Sequence, residues 1–445
     1  MSVLRNNFFI NTFLFATLIW ISPETKAAES SQVTIFVAKE IITLNASNLI
    51  VEAVAVQGSE IIKVGSQKEL LEMYPSANTT FEYEDEIIIP GFIEHHIHPF
   101  LAAVTMNSEI IAIDDWQLPS KISKGVQDRA NYLTRLKTAE INLSENQPLI
   151  SWGFHHYFHG RLTKDDLDKI SLTRPIIIIH RSFHEFILNT PAMKLLGIRQ
   201  EAFSDIGEES HLANFDEGHF SERGAMLVLP NLMRVLAVPQ KIIIGLNKTK
   251  DYLYSNGITV IGNPGSMYNK NLQAAKNLTF GSLNTQFESY FFPSALNLVE
   301  QFETDEILDA AREQISWGTG KLSFLPKHIK LFTDGAMYSQ NMVMRDGYLD
   351  GHEGSWLMDG KTYSDLFKIF WDDGYQIHIH QNGDAGLDRL LNNLEQNMLS
   401  NPREDHRTTV VHFGYSAKDQ LAKIKELGAV ISANPYYVTA LSDLY

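Results

Sequence analysis

IIIPGFIEHHIHPF, residues 87–100, sets three histidines into four positions directly after an apolar run and a Pro-Gly. The apolar run reads as a strand buried on both faces, of the kind found inside a parallel sheet covered by helices. On an extended strand His96 and His98 project to one face and His95 to the other, so two imidazoles can share one metal ion. Alone, H-x-H is weak evidence, because the chain carries 16 histidines and hydrogen-bonded or surface roles are common for this residue. The setting adds weight. Pro90-Gly91 before the pair and Pro99 after it frame a strand whose C-terminal end opens into a loop, and α/β barrels keep their active sites at that end.

Outward from this stretch the chain divides in two. Residues 32–89 are β-rich, with VTIFVA and EAVAVQGSEIIKVG turning at Gly58, and predict a small β domain. From Pro90 onward, the strand-like runs PLISWG (148–153), RPIIIIHR (174–181), GITVIG (257–262), LNTQFESYFF (283–292), HIKLFTD (328–334), YQIHIHQ (375–381), TTVVHFG (408–414) and AVISANP (429–435) alternate with helical segments. Such alternation predicts an α/β fold with a parallel sheet covered by helices. Local chemistry supports the helices: Thr190 is expected to cap one, with Pro191 at its first position and Gly197 at its end, and Ser416 and Gly428 to bound another.

Composition narrows the function. The net charge of −16 comes from interleaved acids and bases, which disfavours nucleic acid or anionic lipid as a partner and favours a small molecule. The chain has no cysteine, so disulfides, thiolate metal sites and a cysteine nucleophile are excluded, and any metal must be held by nitrogen and oxygen. At the N-terminus, Arg5, the apolar stretch FFINTFLFATLIWI (8–21), Pro23 and the small residues Ala27 and Ala28 predict a secretory signal over residues 1–27. The stretch is short for a membrane span and Asn11 and Thr12 interrupt it. Export without cysteine points to a bacterial periplasm or exterior, with no membrane attachment after cleavage. Nothing in the sequence fixes the oligomeric state; a homo-oligomer is allowed.

Other strand ends carry the same kind of group as the opening stretch. His380 closes YQIHIH and His412 closes TTVVH, so four imidazoles are expected on one rim. Asp384 after His380 reads as a helix N-cap, and His378, one pleat deeper, as a packed histidine. Lys330, between Ile329 and Leu331, is expected to be buried. Burial disfavours its charge, and a neutral amine can add carbon dioxide to form a carbamate that bridges two cations; an ion pair with Asp334 or Asp373 is the competing reading.

These residues together resemble the amidohydrolase superfamily. PGFIEHHIH is similar to its PGF-x-D-x-H-x-H signature, KLFTDG to its strand-four lysine motif, HQNGD to its strand-five H-x-x-G-D and VVHFG to its strand-six histidine. The pattern is closest to family 3 amidohydrolases, the N-substituted formamide deformylase type, which carry motifs similar to SWGF (151–154), DDLD (165–168), HEFILN (184–189) and GHFSERGA (218–225) between the first and second barrel strands.

The resemblance implies a metal-dependent (β/α)8 TIM-like barrel over residues 90–445 with an insertion at about 110–240, and a composite β-sandwich to which residues 32–89 contribute. It implies His96, His98, Lys330, His380 and His412 as ligands of one or two divalent metal ions, zinc suiting them best, with Lys330 open to carboxylation, and His184, Asn189 and Glu222 as substrate-pocket residues. For the last three the residues themselves leave plainer readings open: a loop histidine, a helix-start residue and a solvated acid. The implied activity is hydrolysis of a non-peptide N-acyl or N-formyl amide C–N bond by metal-activated water. Glu94 departs from the family aspartate by one methylene. The family's eighth strand, whose aspartate serves as general base, is expected to lie beyond NPYYVTALSDLY (434–445), leaving the barrel incomplete and no catalytic base assignable. A non-catalytic metal- or ligand-binding barrel, or a lactone or phosphoester hydrolase on the same site, remains the alternative.

Overall fold

The computed structural model describes residues 32–47, 49–201, 203 and 211–441, so the predicted signal segment lies outside the described residues. The described chain forms two compact units that meet in sequence at Pro90 and Gly91.

The first unit is a four-stranded sheet of β1 (Val33–Ile42), β2 (Ile50–Gln57), β3 (Glu60–Gly65) and β4 (Asn78–Ile88), in the order β3-β2-β1-β4. The β2–β3 hairpin turns at Gly58, which sits at φ +62° where a side chain would be strained. Ile35, Val37, Ala53 and Ala55 bury one face against Leu70 of the helix Gln67–Met73, which Ser66 caps.

The decisive stretch is not one strand. β4 ends at Ile88, Pro90 has no amide hydrogen to continue a ladder, and β5 covers only Phe92–Glu94. Nor is β5 buried on both faces: Phe92 and Ile93 are 54% and 66% exposed, because among the described residues β5 pairs on one side only. His96 and His98 follow the strand instead of lying in it, and His98 is the extended residue that opens the helix Pro99–Asn107.

Between β5 and β14 the chain builds its own sheet, from β6 (Glu109–Ile110), β9 (Leu149–Phe154), β10 (Ile176–His180), β11 (Glu185–Leu188), β12 (Ala213–Asn214) and β13 (His219–Ser221), with a small hairpin of β7 (Trp116–Gln117) and β8 (Ile122–Ser123) beside it. Ile176 to Ile179 of β10 are fully buried, which explains an apolar run with no alternation.

The remaining strands are parallel: β14 (Ile258–Ser266), β15 (Glu288–Pro293) and β16 (Leu322–Phe324) join β5 in one four-stranded sheet, and β17 (His328–Phe332), β18 (Gln376–Gln381), β19 (Thr409–His412) and β20 (Val430–Ala433) form another in sequence order. Backbone pairing thus gives two sheets and not one continuous barrel sheet. Their contacts include a parallel bridge that links Ser294, just after β15, to Lys330, and His95 Nε2 at 2.8 Å from Ser432 Oγ. The chain has an α/β fold.

Helix ends differ from expectation by one residue. Asn189, not Thr190, caps the helix Thr190–Leu196; Ala417, not Ser416, precedes the helix Lys418–Leu427; and Gly383 precedes Asp384. At the first of these Asn189 Oδ1 accepts the Ala192 amide at 3.0 Å, and at the second the Gln420 side chain reaches back to the Ala417 amide at 2.9 Å.

The helix that His98 opens lies against the helix Pro239–Ser255 at Gly245, where an added Cβ would stand 2.3 Å from the Ala103 carbonyl oxygen. Backbone meets backbone there. Gly245→Ala is therefore expected to destabilise the protein by about 1–3 kcal/mol through overpacking, although alanine favours an isolated helix by ~1 kcal/mol; a raised or unchanged urea midpoint would contradict this close approach.

Candidate metal centre and its cavity

The strand ends of the two parallel sheets open on a cavity of about 710 Å³ whose lining includes His96, His98, His184, Glu222, His380 and His412. Four of the five predicted metal ligands are therefore on one surface. Ring centroids of His96 and His412 are 4.8 Å apart and those of His380 and His412 4.5 Å, while His96 Nε2 and His98 Nε2 face each other at 3.3 Å.

Each ring is positioned by a neighbour. Asn263 Oδ1 lies 3.1 Å from His98 Nδ1; this bond places the proton on Nδ1 and turns the Nε2 lone pair to the site, as metal-ligating histidines require. Glu94, one methylene longer than the family residue, accepts the His96 amide at 2.9 Å. His412 and Phe413 take φ values of +74° and +47°, a left-handed pair of non-glycine residues that costs about 1–3 kcal/mol per residue and is typical of functional sites. His380 is held differently: Asn382 Nδ2 donates to its Nε2 at 2.9 Å, so ligation through that atom requires the amide to move away.

Burial lowers the pKa of all four rings. It acts on His96 together with Lys330, brings His98 down to about 4, and takes His380 and His412 well below the usual range. They are neutral donors, the form that binds a cation. Lys330 is 1% exposed and its Nζ has no hydrogen-bond partner. Neither expected ion pair forms: Asp373 pairs with Lys327 and Arg312, and Asp334 accepts from Thr333 and from the amides of Val343, Asn382 and Gly383. Desolvation holds the Lys330 pKa well below the ordinary lysine value. Its Cγ would sit 3.4 Å from a Cβ at Gly265. Converging neutral nitrogens and an orphaned buried amine fit a divalent cation held by nitrogen and oxygen.

Of the predicted pocket residues, His184 and Glu222 line the cavity and Asn189 does not. Glu222 Oε2 lies 2.7 Å from His184 Nδ1, and Oε1 accepts from the Ala336 amide and Ser339 Oγ, so Glu222 is buried and not a solvated acid. Burial opposes charge on His184, yet the charge and hydrogen bond of Glu222 outweigh it and the pKa is raised. Asn189 is fully buried and fully used: Oδ1 accepts from the amides of Ile176 and Ala192, and Nδ2 donates to the Ser171 and Arg174 carbonyls. It is corrected here to a structural cap. His378 packs against Phe292 and lies 3.2 Å from His328, as a packed histidine should.

Two features escaped the sequence reading. Lys276, on the helix Lys270–Phe280, also lines the cavity, 1% exposed, with Nζ donating to Ser266 Oγ at 3.0 Å and no carboxylate paired with it among the described residues. A lysine inside NLQAAKNLTF at the position of a buried helix face was the available signal. The second is a histidine group: among the described residues, the trio whose ligand atoms all lie within 4.8 Å of one another is His155, His156 and His180. Its signal was the same as that of the first site, histidines at the ends of two neighbouring strands.

Comparison with known proteins agrees with this geometry. The sequence profile of the amidohydrolase family matches residues 84–443. The exoenzymes regulatory protein AepA of Pectobacterium carotovorum subsp. carotovorum is 23% identical, over 83% of this chain and 78% of its own. The N-substituted formamide deformylase of Arthrobacter pascens is 22% identical, over 88% of this chain and 71% of its own. The crystal structure of a metal-dependent hydrolase from Pyrococcus horikoshii OT3 superposes with a TM-score of 0.64 at 16% identity, covering 93% of this chain and 76% of that one; at that identity it shares the fold.

Lys276 generates a test of the site's electrostatics. Desolvation depresses its pKa from 10.5 to about 7. The unfolded chain then binds more protons between those values, so this lysine makes stability rise as pH increases from about 7 to about 10.5. Lys276→Met is expected to flatten that rise in thermal midpoint and to raise the midpoint at pH 7; an unchanged slope would show the amine to be solvated.

Proposed function

This chain belongs to the amidohydrolase family, and from that premise we propose that its cavity hydrolyses a carbon–nitrogen bond in a small N-acyl or N-formyl amine. The observation that carries the reading is the convergence of His96, His98, His380 and His412 on one cavity, with the unpaired Lys330 buried outside the lining but near enough to help lower the pKa of all four rings. Within this reading the two parallel sheets are successive staves of a (β/α)8 barrel, and the sheet between β5 and β14 is its insertion.

Each residue has a task that follows from its surroundings. His96 and His98 present neutral Nε2 atoms to the site, with Asn263 fixing the His98 tautomer. Lys330, neutral through burial, is the group that carbon dioxide would convert to an anionic ligand. A divalent cation bound there supplies Lewis acidity toward a carbonyl oxygen and makes water more acidic. His184, whose pKa the charge and hydrogen bond of Glu222 raise, is placed to donate to the oxygen on which charge develops, and such a donor is typically worth ~10²–10³ in rate. Leu101, Phe186, Met226, Leu229, Met267 and Leu296 give the cavity an apolar wall for the substrate's organic substituent. The relative named an N-substituted formamide deformylase supports the choice of bond.

A second reading, a metal- or ligand-binding protein without turnover, draws on one observation. The cavity's carboxylates among the described residues are Glu94 and Glu222; Glu222 has both oxygens in hydrogen bonds and Glu94 gives one to the His96 amide, so no carboxylate stands wholly open to take a proton from water. The relative described as a regulatory protein fits this reading too. In either case export rests on the pattern at residues 8–21.

His96→Ala with His98→Ala is expected to remove zinc from this centre and to lower hydrolysis of N-formyl and N-acyl amines at least ~10²-fold, read by elemental analysis and a product-amine assay. Turnover equal to the unsubstituted chain would refute the assignment; bound metal with no turnover by that chain on either amide class would establish the second reading. His184→Ala should reduce kcat by ~10²-fold or more with the metal retained, and an effect on KM alone would make His184 a binding residue only.

A further inference from the structure

His155, His156 and His180 form a cluster separate from the centre described above, and none of the three lines its cavity. His155 follows β9 and opens the short helix His156–His159, and His180 ends β10. The two strands are parallel, with His180 opposite Phe154, so pairing brings histidines separated by more than twenty positions into one place. The ring centroids of His155 and His180 are 5.4 Å apart, those of His156 and His180 5.8 Å, and those of His155 and His156 5.2 Å.

Two observations point to an occupant. His155 and His180 are 0% and 1% exposed, and the Nε2 atom of each has no hydrogen-bond partner. An orphaned buried polar nitrogen costs about 1–3 kcal/mol, and here two of them belong to a group whose ligand atoms converge. Behind them stands Glu185, buried, with Oε1 unpartnered and 3.6 Å from His180 Nδ1, and Oε2 fixed at 2.7 Å from His219 Nε2. A carboxylate behind a histidine is the usual outer support of a ligated imidazole, and its charge offsets that of a cation. The surrounding positive charge is already answered, since Arg181 pairs with Asp114 at 3.0 Å.

We propose that His155, His156 and His180 form a second transition-metal site, taking Zn²⁺ through three imidazole nitrogens with one coordination position left open. Three neutral nitrogens without a thiolate suit Zn²⁺, Ni²⁺ or Cu²⁺. Tetrahedral zinc needs nitrogens roughly 3.3 Å apart, so the trio, now within 4.8 Å, closes by up to about 1.5 Å on binding, and half-buried His156 is the ring free to move. The ion-free chain carries an opposing term. The Tyr157 and Ser182 amides approach Nδ1 of His155 and His180 at 3.3 and 3.2 Å, which favours the proton on Nε2. Binding shifts it to Nδ1, where Ser182 Oγ, 2.8 Å from His180, can accept it, while His155 gives up its contact with Tyr157. The site is therefore weaker than a preformed three-histidine centre. Once filled, it ties the ends of β9 and β10 together beside the segment Arg181–His184, which carries His184 to the first cavity.

The test uses the full chain, stripped with chelator and titrated with Zn²⁺ alone. The unsubstituted chain should bind one equivalent at least tenfold more tightly than its His156→Gln variant does. The His96→Ala/His98→Ala variant should keep one equivalent, weakened at least tenfold by adding His156→Gln and lost on adding His180→Asn; Co²⁺ in its place should give the intense visible absorption of a tetrahedral nitrogen site. Because His180 is buried and its replacement can unfold the chain, His156→Gln is the deciding variant. Equal zinc content and affinity with and without His156→Gln overturns the site, as does Co²⁺ bound only with the weak absorption of an octahedral aquo-like ion.

Discussion

Desolvation of nitrogen is the constraint on which this structure turns. Parallel strands bring their C-terminal ends to one surface, and the side chains placed there by the chain are imidazoles and amines in place of paired ions. In water each would carry or share a proton; inside the protein the charged form loses its hydration and the groups become neutral. His96, His98, His380 and His412 remain as lone-pair donors, and Lys330 as an amine with nothing to bond. Such an arrangement is costly by itself and makes sense around a cation. The same reasoning applies at His155 and His180, where buried nitrogens again lack partners.

The acids are distributed to serve these bases. Glu222 is spent on His184 and on the Ala336 and Ser339 donors, Glu94 on the His96 amide, Glu185 on His219, and Asp334 on three backbone amides and Thr333. None is left as a loose charge in the cavity. The carboxylates orient the chemistry and tune protonation, while the nitrogens face the open space. Family membership and the shared fold agree with a hydrolase built on this plan.

Particular residues show how far the sequence could be read. His380 and His412 were legible because a histidine closing an apolar strand has a defined direction and a defined end. Lys330 was legible as buried, but its lack of a partner was not, since Asp334, on the same motif, and Asp373, just before the neighbouring strand β18, are both claimed by other groups in space. Asn189 lay in a pocket-like motif, yet the free amides of a helix start and of Ile176 compete for its side chain and win. The trio at His155, His156 and His180 stayed hidden because it depends on the register between β9 and β10.

Sequence by itself determined the alternation of strands and helices, the small β unit before Pro90, the histidines at strand ends and the absence of thiol chemistry, because these follow from periodicity, from proline's missing amide and from composition. Tertiary structure alone decided that His96 and His98 stand beyond a three-residue strand, that Glu222 is a buried partner of His184, that Lys276 enters the cavity, and that a second histidine group exists. The physical reason is that burial and partnership are properties of the space around a side chain, set by strands and helices far away in the chain, and no local pattern records which of several nearby groups will claim a given hydrogen bond.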